Sequence, residues 1–300
     1  MGVLLFQSNT KQMAEFSKLS NRSNINIYNY PELFRREMDD RRIIVYDDHR
    51  TILDVLYFAI QERHFDGVTP SIISFDYHDD SVKLSPKQKQ RAKAVRKRCF
   101  TKRNDELIWR YVEFELSGMD DDWVRIGMEL GLIKHYIGFG HSFDACNIEN
   151  GYEQYQTLDR EVHHLYSNGH LDSVMGSRGV IGDESYGWQQ KRDDLLEDIQ
   201  FQDGHFNTGA VLPFVFDIDL DCFSAEFGNY TIAWPEAVFS ERYQEDLKVN
   251  TFVRSLIKRA SLITICREPG CCGGIGEANR ILELLDSYWF DGALRTQRIK

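Results

Sequence analysis

The sequence has few cysteines, no apolar run of membrane-spanning length and fewer basic than acidic residues, and each shortage argues against a class of protein. The six cysteines are not spaced as CxxC pairs, so we expect reduced thiols rather than a zinc ribbon. Without a long apolar run or a typical signal peptide, we expect a cytoplasmic protein that makes no use of a membrane. The net charge of −11 argues against nucleic acid as a partner, because phosphate binding needs a basic face.

Five short apolar runs end abruptly in charged residues, which is typical of strands in a parallel sheet. The runs cover residues 42–46, 71–75, 135–140, 212–216 and 261–266. They are continuous rather than alternating, as strands covered by helices on both faces require. Helical patterns lie between or after them, at residues 51–62, 123–134 and 276–288. The sequence therefore predicts an α/β fold with a mainly parallel sheet in three α/β/α layers, and residues 1–300 as a single domain.

One basic segment stands apart from this pattern. Residues 85–103 contain nine lysines and arginines and no acid, and we predict an insertion in the domain around residues 85–115. Such a charge run is usually a solvated helix or a flexible insertion. A more specific hypothesis is a docking surface for an acidic peptide.

The polar tips of three predicted strands carry side chains that bind metals. The candidate ligands are His49, Asp76, His78, Asp80, Asp217 and Asp219. Two of the motifs, Asp-x-His-x-Asp and Asp-x-Asp, alternate along extended segments, so their side chains share a face and can converge. In open α/β sheets, ligands bind beyond the carboxyl ends of the strands. The six residues are therefore expected to meet at one edge of the sheet.

Each of these motifs alone is more often a turn or a helix cap than a metal site. Their coincidence at three strand tips favours a metal site. Two histidines and four carboxylates suit two hard or borderline divalent ions such as Mn²⁺, and the lack of thiols in the motifs disfavours structural zinc. Because a two-metal centre makes hydroxide available at neutral pH, the sequence predicts a metallohydrolase.

Glu268 follows the last predicted strand and has no metal partner in its own motif. A carboxylate pairs with a planar guanidinium through two parallel hydrogen bonds, so Glu268 is a candidate for orienting such a group. A salt bridge to Arg267, or a cap before Pro269, is an equally simple interpretation.

The motifs, in this chain order, resemble those of the arginase and ureohydrolase superfamily, whose fold is shared with the histone deacetylases. The resemblance covers roughly residues 42 to 285. It implies an arginase/deacetylase-like fold, two Mn²⁺ ions bound by the six candidate ligands, and a guanidinium held by Glu268.

Several details resemble a divergent branch, the peptide arginases, which convert arginine to ornithine within ribosomally made peptides. The segments that carry this resemblance are residues 47–49, 75–80, 120–123, 217–221 and 267–270. The resemblance implies an arginine-containing precursor peptide as the substrate and partner, and a homo-oligomer is compatible with it.

The chain departs from arginases that act on free arginine, which carry a proton-shuttling histidine in a loop after the Asp-x-His-x-Asp motif. The comparable stretch, residues 117–123, offers acids instead, so Asp122 and His141 are candidates for proton transfer. His141 fits a structural, hydrogen-bonded histidine equally well. The basic segment lies where free-arginine enzymes bind the α-amino and carboxylate ends, and a remodelled rim suits an arginine embedded in a peptide.

We therefore expect a dinuclear hydrolase that releases urea from peptidyl arginine. Two alternatives lie in the same superfamily: hydrolysis of a small guanidino compound, as in agmatinases, and amide hydrolysis of the deacetylase kind on acyl-lysine or acyl-polyamine. A third alternative is non-enzymatic, a metal-stabilised module that binds a peptide through the basic segment.

Overall fold

The fold is taken from a computed structural model of the chain. The structure describes residues 33–38, 41–102, 104–116, 121–140, 147–148, 152–168, 213–227, 230–240 and 247–294. Within these ranges, we find no helix that combines the length and the apolar character needed to cross a bilayer. The candidate residue His141 lies outside the described residues.

An eight-stranded, mostly parallel sheet forms the centre of the described chain. Its strands are β1 (Leu33–Met38), β2 (Arg41–Tyr46), β3 (Ser71–Phe75), β4 (Tyr136–Phe139), β5 (Tyr152–Gln156), β6 (Val162–Asn168), β7 (Phe214–Asp219) and β10 (Leu262–Cys266). They lie in the order β1-β2-β10-β7-β3-β4-β6-β5. The strands from β2 to β6 in this order are parallel, and the edge strands β1 and β5 are antiparallel to their neighbours. The predicted α/β class with a mainly parallel sheet is confirmed.

A separate antiparallel hairpin follows the short 3-10 helix Leu220–Phe223, and it consists of β8 (Ser224–Phe227) and β9 (Tyr230–Ala233). The helices are α1 (Thr51–Gln61), α2 (Pro86–Lys102), α3 (Asp105–Glu115), α4 (Trp123–Leu130), α5 (Glu236–Ser240), α6 (Leu247–Arg259) and α7 (Ile275–Tyr288). All five predicted strands and all three predicted helices are present, with small shifts at their ends. The edge strands β1 and β5, the inner strand β6 and the hairpin were not predicted.

Helices pack on both faces of the sheet because its strands bury side chains on both. In β2, Ile43 and Val45 join a core with side chains of α6 and α7, whereas Ile44 and Tyr46 join a second core with side chains of α1 to α4. This alternation follows from the two-residue period of a strand. Both cores therefore meet the central strands and hold their carboxyl ends in fixed positions.

The basic segment forms helix α2, and this helix is part of the fold rather than a flexible insertion. It buries Ala92, Val95 and Cys99 in the core that contains α1 to α4. Three of its cations pair with acids of the same chain, in the pairs Arg91–Glu115, Lys93–Asp159 and Arg96–Glu161. The docking surface for an acidic peptide stays a prediction.

Candidate metal centre

The polar tips meet at one edge of the sheet because β2, β10, β7 and β3 are parallel neighbours in that order. His49 follows β2, residues 76–80 follow β3, residues 219–221 end β7 and extend past it, and Glu268 follows β10. Parallel strands bring their carboxyl ends to the same side, so residues far apart in sequence converge there.

His49 lies at the centre of the cluster and is fully buried. Its Nδ1 atom lies 2.9 Å from Asp80 Oδ2, 3.3 Å from Asp219 Oδ2 and 3.5 Å from Asp76 Oδ2. Within the described residues, neither His49 Nδ1 nor Asp76 Oδ2 makes a hydrogen bond of acceptable geometry. Buried polar atoms are costly unless they have a partner, so a cation between these atoms fits the arrangement.

Two of these aspartates divide their oxygens between a turn and the cluster. Asp76 Oδ1 accepts a hydrogen bond from the His78 amide at 2.7 Å, and Asp219 Oδ1 accepts one from the Asp221 amide at 3.1 Å. Asparagine and aspartate often close turns in this way. Since the second oxygen of each points to His49, the turn interpretation and the metal-site interpretation of these motifs are compatible.

A second group of ligand atoms adjoins the first and shares Asp76 with it. Asp76, His78 and Asp221 each offer an atom, and these atoms lie within 4.8 Å of one another. His78 Nδ1 lies 3.2 Å from Asp221 Oδ2, and the side chain of His78 is 40% exposed. The second group therefore lies on the solvent side of the first.

Asp217, predicted as a ligand, lies deeper in the sheet and contacts His49 at Nε2, the ring nitrogen that faces away from the cluster. It stands two residues before Asp219 on β7, a distance of about 6–7 Å along a strand. Its carboxylate accepts hydrogen bonds from His49 Nε2 at 2.9 Å, Ser74 Oγ at 2.8 Å, Thr264 Oγ1 at 2.6 Å and Tyr46 OH at 3.2 Å. Because a carboxylate only accepts, Nε2 carries the proton and Nδ1 keeps its lone pair for the cluster. The structure thus corrects the prediction: Asp217 orients a ligand and is not placed among the ligand groups.

Asp221 is the candidate ligand that the sequence analysis missed. It is fully buried and belongs to the group with Asp76 and His78. The signal was present, since residues 217–221 read Asp-x-Asp-x-Asp and contain two overlapping pairs of the same period. The choice between the pairs depends on where β7 ends, and the strand continues to Asp219.

Burial and mutual repulsion between the carboxylates shift the pKa values of the cluster. Burial, and then repulsion from Asp80 and Asp219, raises the pKa of Asp76 well above its ordinary value. Burial, and then the charge of Asp221, raises the pKa of Asp219 to about 7. Burial lowers the pKa of His49, but the neighbouring carboxylates outweigh it and the net change is upward. Divalent ions would relieve this repulsion, so the donor set fits a metal centre.

Glu268 borders the cluster from the end of β10. Its Oε1 atom lies 4.0 Å from His49 Nδ1, and its side chain is 13% exposed. Burial, and then the charge of Asp219, raises the pKa of Glu268 to about 10. A carboxylate in this position ionises only beside a positive charge.

The loop around Glu268 is held by its own backbone. Glu268 has a φ of +32°, in the left-handed region, and its carbonyl accepts hydrogen bonds from the amides of Cys271 at 2.9 Å and Cys272 at 3.0 Å. The preceding residue, Arg267, donates hydrogen bonds to Asp47 and Asn279. Glu268 is therefore directed into the cluster by a fixed turn, while Arg267 anchors the loop to the core.

Trp123 supports the cluster from helix α4, a role that the sequence did not predict. Its indole Nε1 donates a hydrogen bond to Asp80 Oδ2 at 2.6 Å, and its ring centroid lies 4.8 Å from that of His49. A bond to an indole fixes the direction of the carboxylate, so Trp123 positions Asp80.

Asp122, predicted as a proton donor, is not placed in the cluster. Its carboxylate is buried and accepts a hydrogen bond from Gln88 Nε2 of helix α2 at 3.1 Å. It belongs to none of the groups of potential ligand atoms found in the described residues. The other candidate, His141, lies outside those residues.

A scan of the chain against protein-family models finds no match, and a search of curated proteins finds no similar sequence. The chemistry of the site is therefore the basis for a functional proposal.

Proposed function

We propose that the protein is an arginase-like dinuclear manganese hydrolase that converts arginine side chains within a peptide to ornithine and releases urea. The observation that carries this proposal is the position of Glu268. Its carboxylate lies at the border of a buried carboxylate–histidine cluster, 4.0 Å from His49. A metal centre formed by the cluster would therefore lie beside a binding group for a cationic side chain.

His49, Asp76, Asp80 and Asp219 would hold one ion, and Asp76, His78 and Asp221 would hold the other. Oxygen and imidazole donors without a required thiol suit Mn²⁺. Two bound ions would supply a hydroxide nucleophile from water at neutral pH. Asp217 keeps Nδ1 of His49 unprotonated, and Trp123 keeps Asp80 directed inward.

Glu268 would bind and orient the guanidinium. Burial, which raises its pKa to about 10, makes an uncompensated negative charge costly, so a cationic partner stabilises the carboxylate. A planar guanidinium supplies that charge and two parallel donors. In the reaction, the oxygen of water bonds to the guanidinium carbon, the bond from that carbon to Nε breaks, and Nε leaves as a protonated amine. The products are urea and an ornithine side chain.

A peptide substrate is favoured over free arginine by the state of helix α2. Free arginine needs cations to bind its carboxylate, and α2 lies in the basic segment that corresponds to that part of free-arginine enzymes. Arg91 and Lys93 of α2 are instead paired with Glu115 and Asp159.

The five described cysteines are free thiols, which supports the cytoplasm as the location.

The test is urea release by the full chain loaded with manganese. Arginine-containing peptides, including any small precursor encoded beside the gene, should release urea and lose one CN₂H₂ unit per modified arginine. The variant Glu268→Gln is expected to keep its manganese and lose urea release, since Gln accepts but carries no charge. Free arginine and agmatine serve as comparison substrates, and acetyl-lysine peptides test the deacylase alternative.

Three outcomes would contradict the proposal. No urea from any arginine peptide, with two manganese ions bound per chain, would remove the activity. A stoichiometry near one ion, with release of acetate from acetyl-lysine peptides, would favour the deacylase. Equal activity of Glu268→Gln and the wild type would remove the role of Glu268.

A further inference from the structure

Two thiols lie close to Glu268, in two separate groups of potential ligand atoms. Cys266, at the end of β10, is fully buried, and its sulfur lies in a group with atoms of His49, Asp219 and Glu268. Cys271 is exposed, and its sulfur lies in a group with Asp221 and Glu268. Within each group, the potential ligand atoms lie within 4.8 Å of one another. Neither thiol is used by the proposed reaction.

The group formed by Asp221, Glu268 and Cys271, called the outer group below, differs from the two proposed manganese positions in its donor atoms and in its access to solvent. It combines one thiol with two carboxylates and contains no histidine. Asp221 is fully buried and Glu268 is 13% exposed, whereas Cys271 is exposed, so the group opens to solvent on the thiol side. An ion from solution can therefore meet Cys271 first and then the two carboxylates.

The loop that carries Cys271 is held in place, so the group is built rather than incidental. The Cys271 amide donates a hydrogen bond to the Glu268 carbonyl at 2.9 Å, which ties the thiol residue to the carboxylate residue. Cys272 turns the other way, and its sulfur donates a hydrogen bond to the Arg267 carbonyl at 3.1 Å. A Cβ atom on Gly273 would lie 1.9 Å from the carbonyl oxygen of Thr231, so the loop lies directly against strand β9.

We propose that Asp221, Glu268 and Cys271 form a third cation position, which takes a thiophilic divalent ion of the zinc and cadmium class. Thiolates select such ions, whereas carboxylates and imidazoles alone suit manganese. Binding displaces the thiol proton and forms a metal–sulfur bond. Because Glu268 cannot hold an ion and a guanidinium at once, occupancy of this position blocks the substrate. This last step rests on the proposed function, and the binding site itself does not.

The test is addition of Cd²⁺ to the full chain loaded with manganese, in the absence of substrate. A cadmium–thiolate bond absorbs in the ultraviolet, and this band is measured in the wild type and in three variants. We expect the band in the wild type, in Cys266→Ser and in Cys272→Ser, and its loss in Cys271→Ser. Cys272→Ser is the matched control, because serine can keep the hydrogen bond to the Arg267 carbonyl. Melting temperature and manganese content show whether each variant is folded.

The proposal is overturned by a wild type without the band, by a band that persists in Cys271→Ser, or by one that disappears only in Cys266→Ser or Cys272→Ser. Inhibition is measured separately, as the ratio of urea release with and without Cd²⁺. That ratio should fall well below one in the wild type and stay near one in Cys271→Ser. A protein that binds Cd²⁺ through Cys271 but releases no urea would refute the proposed function and leave the third cation position standing.

Discussion

Substitution of Asp217 by Asn tests whether this residue orients His49 or binds metal itself. The carboxylate accepts from four donors, and three of them are the hydroxyls of Ser74, Thr264 and Tyr46. An amide oxygen in the place of Oδ1 can still accept from the hydroxyls of Thr264 and Tyr46, whereas Ser74 donates to Oδ2, the oxygen that also faces His49. Its NH₂ group would then face His49 Nε2, which lies 2.9 Å from the carboxylate and already carries a proton. Two donors would oppose each other, and the imidazole would be driven to move its proton to Nδ1.

The expected cost follows from the role of that hydrogen bond. Loss of a partner that orients a ligating histidine weakens metal affinity by about 10- to 100-fold. The upper end applies to Asp217→Asn, because the site is fully buried and the charge is lost together with the geometry. The affinity loss corresponds to about 2.7 kcal/mol at 100-fold. The number of ions bound at saturating manganese should remain unchanged.

Substitution of Asp221 by Asn is the matched comparison, and we expect a different result. Asp221 lies in the ligand group with Asp76 and His78, and its Oδ2 atom is 3.2 Å from His78 Nδ1. Its loss removes a ligand from this group and leaves the atoms around His49 in place. The chain should therefore bind one manganese ion fewer.

The assay is manganese content by elemental mass spectrometry after gel filtration, with calorimetric titration for affinity and a thermal melt to verify folding. The reasoning is refuted if Asp217→Asn loses an ion outright while Asp221→Asn keeps both the count and the affinity. That pattern would make Asp217 a ligand and Asp221 a structural residue.

Three further predictions concern stability and the surroundings of the cluster. In the metal-free protein, the pKa values of Asp219 and Glu268 are raised from 3.8 to about 7 and from 4.5 to about 10. The contribution of these two groups to stability is therefore full below their ordinary pKa values and is lost as the pH rises through the raised ones. Manganese should accordingly raise the melting temperature more at about pH 8 than at about pH 6. Trp123→Phe keeps the ring but removes the hydrogen bond to Asp80, so calorimetry should show manganese affinity lower by roughly tenfold, and an unchanged affinity would exclude a positioning role. Glu153→Gln removes the charge that pairs with the buried side chain of Arg125 at 2.6 Å. The free energy of unfolding, measured by urea titration, should fall by about 1–3 kcal/mol. A loss below about 0.5 kcal/mol would contradict this prediction.

The central strands could be predicted because their sequences report burial on both faces directly. Strand β3, for example, is a continuous apolar run that stops at Asp76, and the structure has the same strand at Ser71–Phe75. The edge strand β5 and its neighbour β6 gave no such pattern. Strand β5 is mostly exposed or half-buried, so its residues are polar and its place depends on its antiparallel partner.

The site was predictable where a ligand follows a strand and ambiguous where the strand's end was uncertain. His49, Asp76, Asp80 and Asp219 come together as their positions indicate. Whether Asp217 or Asp221 joins Asp219 as a candidate ligand depends on how far β7 extends. If the strand ended two residues earlier or later in the Asp-x-Asp-x-Asp run, a candidate ligand would become a residue that orients one. Periodicity cannot resolve this, because Asp217 and Asp221 each lie two residues from Asp219 and fit the same two-residue period.

Other features of the site depend on long-range packing and leave no local signal. Trp123 of helix α4 donates a hydrogen bond to Asp80, which lies 43 residues earlier in the chain. Asp122, its neighbour in the chain, points instead to Gln88 of α2. A sequence motif of acids next to a tryptophan does not show which of the two side chains faces the carboxylate–histidine cluster.

The buried row of polar side chains in the sheet has a consequence for how the protein folds. Ser74, Asp217 and Thr264 lie side by side on β3, β7 and β10, in register with one another. The strands that they join are separated by long stretches of chain, so the loops between them close at a high entropic cost before the row can form. His49 acquires its orientation only when this row is complete. Metal ions should therefore bind late, after the strands have paired, and added manganese should slow unfolding far more than it speeds folding.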